Sequence, residues 1–88
     1  DGELFPCLGY AYDALAAGGS MPAVLSAANE VAVKHFLDER IGYADIARVI
    51  RQTMEAHNPA HLATIEDALK ADLWARHEAE RIVTTVRR

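Results

Sequence analysis

A single cysteine, Cys7, leaves this sequence no internal disulfide and suits a reducing compartment. No apolar run approaches the roughly 18 residues that a membrane span needs, so no membrane partner is expected. No leader peptide is visible, and the sequence opens on Asp1 instead of methionine; it reads as a piece of a longer protein or a processed one. Basic residues are also few. Nine Lys and Arg face 13 Asp and Glu, for a formal net charge of −4, which argues against nucleic acid as a partner. Arg81, Arg87 and Arg88 fit the C-terminal end of a helix better than a phosphate-binding stripe. No stretch alternates polar and apolar residues, and there is no hairpin signal, internal repeat or low-complexity run, so strands are not expected.

What remains is rich in apolar residues, 51% of 88, enough for one globular domain with a modest core. The chain is organised around Ser20–Glu39. Ser20 suits an N-cap, and Pro22 falls in the first turn, where its missing N–H costs nothing. At about 100° per residue, Val24, Ala28, Val31 and His35 form one stripe, Leu25, Ala32 and Phe36 a second, Val33 and Leu37 a third. Lys34 and Asp38, beside Ala23 and Ala27, leave a narrow polar seam. A helix so apolar is expected to be buried nearly all round.

Three further helices flank it. Pro6–Ala17 repeats Leu8, Ala11, Tyr12 and Leu15 on one face and ends at Gly18-Gly19. After the central helix stops near Arg40, Gly42 makes a turn, with Ile41 and Tyr43 plugging the end of the bundle. Ala44–His57 points Ile46, Val49, Ile50, Thr53 and Met54 inward, and Arg48, Arg51, Gln52 and Glu55 outward. Asn58-Pro59 breaks it, and Thr64, with Asp67 at the capping-box position, starts a fourth helix to about Val86. The expected fold is all-α, an antiparallel four-helix bundle forming one domain over residues 1–88, with Asp1–Leu4 a linker remnant.

Chemistry is hard to find. His57 and His61 are four apart, but Pro59 lies between them, so they do not share a helical face as zinc ligands would. His77-Glu78 opens like a metalloprotease motif, yet position 81 is Arg81 and no second ligand follows. His35 reads as a core-edge histidine, and Cys7 as a small buried hydrophobe. Gly18-Gly19-Ser20 before a helix resembles a phosphate cradle only superficially, since no strand precedes it and no lysine follows. There is no P-loop and no nucleophile elbow.

Two polar constellations and one aromatic stand out. Ser26, Asn29 and Glu30 form a notch on the central helix, either exposed or a buried network; Asn29 is expected to be buried and hydrogen-bonded. On the fourth helix Ile65, Ala68, Leu69, Ala75, Ala79, Ile82, Val83 and Val86 define the inner face. Asp72 and Arg76 fall within it as an i, i+4 pair, to steady the bundle or its docking. Trp74 points about half a turn from that face, among Lys70, Glu78 and Arg81. It either lies under those cationic stems or anchors an interface, and the interface is preferred because the bundle has no internal use for the residue in that direction.

The segments FPCLGYAYDALAAGG, PAVLSAANEVAVKHFLDERIGYADI and TIEDALKADLWAR resemble the C-terminal domain of 1-deoxy-D-xylulose 5-phosphate reductoisomerase, from Leu4 to about Arg81. Ala27–Val33, with Phe36-Leu37 and Arg40-Ile41-Gly42, carries the resemblance, as does Glu66–Leu69 with Asp72, Trp74, Ala75 and Arg76. Ser26 departs from the family's usual Asn. The resemblance implies a cytoplasmic bacterial enzyme, typically a homodimer, that converts 1-deoxy-D-xylulose 5-phosphate to 2-C-methyl-D-erythritol 4-phosphate with NADPH and Mg or Mn, in the non-mevalonate route to isoprenoids. Its cofactor and metal sites lie in other domains, so it carries no catalytic, cofactor or metal residue over to this chain. It implies a non-catalytic helical domain that braces the catalytic domain. The alternative is a free-standing helical protein-interaction module.

Overall fold

The described residues form four α-helices, α1 (Pro6–Ala17), α2 (Met21–Leu37), α3 (Tyr43–Ala56) and α4 (Ile65–Val86). The structure, a computed structural model, describes residues 6–57 and 65–86. The expected Asn58-Pro59 break and Thr64 cap lie outside the described residues, as do Asp1–Leu4.

The core is a three-helix unit of α2, α3 and α4, and α1 lies over α2 and α3 without reaching α4. Ser20 meets His57 and Phe36 meets Tyr43, so α2 and α3 run antiparallel. Glu30 meets Arg76 and His35 meets Glu80, so α2 and α4 run parallel. The expected all-α bundle is therefore present, but its two parallel helices are packed together where a square bundle would hold them on a diagonal. Alanine makes this possible. Ala71, Ala75 and Ala79 recur at i, i+4, i+8 on α4 and are buried, as are Ala27 and Ala28 on α2. Small side chains let two helix axes approach closely. Val24, Val31, Val49, Ile50, Ile82 and Val83 fill the space around the seam.

Several faces differ from the sequence expectation. On α2 the Val24–Ala28–Val31–His35 stripe is buried as expected, and so is Ala27, which had been placed beside the polar seam. Leu37 is exposed, so α2 is not buried all round. On α1, Ala14 is buried and Tyr12 is 67% exposed, against the expected inward face; the side chains of Leu8, Ala11 and Leu15 lie outside the described set. Ile41 is buried as expected, but Tyr43 caps the end only by an edge-on contact with Phe36, at 5.9 Å between ring centroids. On α3, Ile46, Val49, Ile50 and Thr53 face inward, and the Thr53 hydroxyl donates to the Val49 carbonyl at 2.7 Å.

The turns follow local chemistry. Gly18 and Gly19 take φ of 69° and 56°, which glycine reaches without steric cost. The end of α2 is less orthodox. The N–H of Arg40 donates to the His35 carbonyl, and that of Glu39 to the Phe36 carbonyl, a Schellman arrangement with Glu39 in the left-handed position. Glu39 carries φ of 60° although it has a side chain. Gly42, expected to make this turn, instead precedes α3 at φ −85°, where its N–H donates to the buried Asp45 carboxylate at 2.8 Å. A left-handed conformation costs an ordinary residue about 1–2 kcal/mol. Glu39→Gly should therefore stabilise the domain, by a net ~1 kcal/mol or less once the greater freedom of an unfolded glycine is set against the relief. Urea unfolding would show it, and an unchanged or lower midpoint would contradict the Schellman assignment.

Candidate functional site

Three of the polar residues singled out, Glu30 on α2 and Asp72 and Arg76 on α4, meet at the edge where these helices adjoin. Arg76 is the hub. Its Nε donates to Asp72 Oδ2 at 2.8 Å, one turn earlier on α4, and its Nη2 donates to Glu30 Oε2 at 2.7 Å on α2. These hydrogen bonds, to Asp72 first and Glu30 second, raise the guanidinium pKa further above its ordinary value. The Asp72–Arg76 pair is thus formed as expected, but it sits on the rim. The side chains of Arg76 and Asp72 are 38% and 35% exposed. The physical reason is a rotation of α4. Its buried face, formed by Ala71, Ala75, Ala79, Ile82 and Val83, centres roughly 30° around the helix from the face expected from the sequence. That turn takes Leu69 out of the core and brings Ala71 into it, whereas Ile65, at the angle of the buried Val83, is exposed as the first residue of α4.

The notch on α2 does not hold together as one network. Glu30 goes to Arg76, whereas Ser26 and Asn29 line a shallow groove with Leu25 and Ile50. Ser26, Asn29 and Glu30 are all exposed, which overturns the expected burial of Asn29. Leu25 and Ala32 carry the packing toward α3, and no described element covers the side where Asn29 projects.

Next to the network is an apolar strip. Leu69, Asp72, Leu73 and Arg76 stand at i, i+3, i+4, i+7, one face of α4. Leu69 and Leu73 are 59% and 58% exposed, and Ile65, one turn earlier, is more exposed still.

Trp74 lies on the opposite edge of α4, where the same rotation brings it nearer the core. Its ring stacks on the His57 imidazole, 4.9 Å between centroids at 37°, and the residue is 36% exposed. The bundle therefore does have an internal use for Trp74. The two cations expected around it are engaged elsewhere, Lys70 near Glu66 and Arg81 on Glu78. His57 Nε2 also bonds the Ser20 hydroxyl at 2.6 Å. Ser20 is buried at the N-cap position of α2, but its hydroxyl makes no cap bond there. Burial lowers the His57 pKa from its ordinary 6.5. One node thus ties the start of α2, the end of α3 and the middle of α4. Sequence reading gave Ser20, His57 and Trp74 three separate roles. His35 is the core-edge histidine expected, with its Nε2 on Glu80 Oε1 and its Nδ1 3.3 Å from an Arg40 Nη1.

Comparison with known proteins settles the family. A family model described as the DXP reductoisomerase C-terminal domain matches residues 1–78. The chain belongs to that family. The 1-deoxy-D-xylulose 5-phosphate reductoisomerase of Geobacter metallireducens is 58% identical over 83 residues, covering 94% of this chain and 22% of that protein. The enzyme of the same name from Trichlorobacter lovleyi is 56% identical over 86 residues, with 98% and 22% covered. The solved structure of 1-deoxy-D-xylulose 5-phosphate reductoisomerase from Zymomonas mobilis in complex with NADPH superposes with a TM-score of 0.90 at 41% identity, covering 94% of this chain and 22% of that one. The chain thus spans about a fifth of the length of these reductoisomerases.

The described residues of this reductoisomerase domain do not fit a metal or dinucleotide site. Among the described residues no group of three or more His, Cys, Asp and Glu could hold a metal ion. Glu30 and Asp72, carboxylates on different helices, already share the Arg76 guanidinium, which offsets one of their two charges and occupies an oxygen of each. The Gly18-Gly19-Ser20 turn is a poor phosphate cradle, because Pro22 removes one N–H from the first turn of α2 and the Ser20 hydroxyl is bonded to His57.

Two outcomes follow from this geometry. A double-mutant cycle on Asp72→Asn and Arg76→Met should give a small favourable coupling that shrinks in molar salt, because a rim pair is screened and a stranded partner rehydrates. Coupling indifferent to salt would place the pair in the core after all. For His57 the folded pKa lies below the unfolded value of 6.5. Its contribution to stability is therefore complete above that pH and is lost as the pH falls through the folded pKa. Thermal melting between pH 7.5 and 5 should drop more for the parent domain than for His57→Gln. Equal drops would mean that His57 is not held neutral.

Proposed function

We propose that this chain is the non-catalytic C-terminal helical domain of a 1-deoxy-D-xylulose 5-phosphate reductoisomerase, where it braces the catalytic domain. The reading is carried by one observation: the family match over residues 1–78, on a chain that is 58% identical over 83 residues to a reductoisomerase and spans only 22% of it. The parent enzyme converts 1-deoxy-D-xylulose 5-phosphate to 2-C-methyl-D-erythritol 4-phosphate, a step of isoprenoid biosynthesis, as a cytoplasmic homodimer. NADPH and a divalent Mg or Mn ion supply the hydride and the Lewis acid, both held by other domains. The NADPH in the Zymomonas mobilis relative supports the cofactor assignment. No helix among the described residues is long and apolar enough to cross a membrane. The contribution of this domain is mechanical: a helical block fixed by its alanine seam, with charged and apolar groups left on one edge. Family membership weighs against a free-standing interaction module.

A chimera provides the test. The C-terminal domain of the Geobacter metallireducens enzyme is replaced by this chain, and NADPH oxidation is followed with substrate and Mg or Mn. The chimera should turn over, the enzyme lacking the domain should not, and this chain alone should be silent. A well-folded but inactive chimera, or turnover by the isolated domain, would end the proposal.

A further inference from the structure

We propose that the edge formed by Leu69, Asp72, Leu73 and Arg76 of α4 with Glu30 of α2 is the surface on which the rest of the reductoisomerase chain docks. The inference rests on the bracing role above and assigns it a face.

Three observations carry it. The first is the pairing of exposed leucines with an organised polar network. Leu69 and Leu73 are more than half exposed, and the Arg76 bridges to Asp72 and Glu30 lie on the same side of α4. An apolar centre with a polar, hydrogen-bonded rim is how protein interfaces are built, and contacts between domains of one chain are at the polar end of that range. The second is charge. Two carboxylates against one guanidinium leave a single net negative charge on the edge. A second copy of the domain, meeting it by a twofold axis, would set this negative patch against itself. A different surface, apolar with basic or N–H donor groups at its margin, fits better. The third is the amount of chain left to place. The matched segment is 22% of each of these relatives, so about four-fifths of a reductoisomerase chain lies outside this domain and is available to cover it. The other edge of α4 is already occupied in part, since Trp74 is covered by His57.

The active chimera serves for the experiment. Leu69→Cys and Leu73→Cys replace exposed side chains and spare the core, and Tyr12→Cys, on the far helix α1, is the control. Maleimide labelling is read peptide by peptide in the native chimera and again in urea. Thiols at positions 69 and 73 should be protected, relative to urea, at least about tenfold more than the thiol at position 12, as for sites opened only by a local transition. Labelling at 69 and 73 as fast as at 12, in a chimera that turns over, overturns the face and leaves the bracing role intact. Protection that vanishes on dilution overturns it in favour of contact between copies. A folded chimera without turnover withdraws the bracing role and this inference with it.

Discussion

The close approach of α2 and α4 decides most of the rest. Ala27 and Ala28 on one helix, and Ala71, Ala75 and Ala79 on the other, are buried, with Val24, Val31, Ile82 and Val83 packed around them. A larger side chain at any of these positions would have to be accommodated by moving a helix, and close-packed interiors resist that. Once the two parallel helices are in contact, α3 has one place to go, antiparallel to both. α1 is left to cover α2 and α3. The same contact sets the rotation of α4, and that rotation sorts its residues into core, rim and surface.

The polar groups follow from this sorting. Arg76 reaches Glu30 because the seam brings their helices within a side chain's length, and the bridge then closes the open edge of the seam. His35, at the other end of the same contact, finds Glu80 in a similar way. Ser20, His57 and Trp74 close the side away from it. The helical block is therefore clasped at both edges by side-chain contacts between elements distant in sequence. Contacts of that kind hold the helices in fixed relation to one another. This is consistent with a bracing role in an enzyme of the reductoisomerase family.

Much of the fold was legible in the residues. Apolar spacing located all four helices, and the ends of α1 and α4 fell where Gly18-Gly19 and Val86 indicate. α2 and α3 were harder at their edges. Position 39 was not suspected because no local rule puts glutamate in a left-handed turn; the backbone hydrogen bonds that end α2 hold this exposed residue there. The candidate site was less legible. The Asp72–Arg76 pair is written in its i, i+4 spacing, whereas Glu30 joins it through a contact 46 residues away in sequence. Asn29 looked buried because its helical neighbours are apolar. Nothing in a one-helix projection shows that no other helix covers that side.

The sequence by itself determined the class of the protein: helices of given length and polarity, no strand and no catalytic motif. It also determined the family, because runs such as Ala27–Val33 are specific to it. Only the tertiary structure decided which face of each helix is inside. A helical wheel fixes the relative angles of side chains, but not the direction from which a partner approaches. On α4 several apolar residues at neighbouring angles compete for the core, and the alanines win because α2 packs against the shortest side chains. That choice put Leu69 and Leu73 on the surface, Arg76 on the rim and Trp74 against His57.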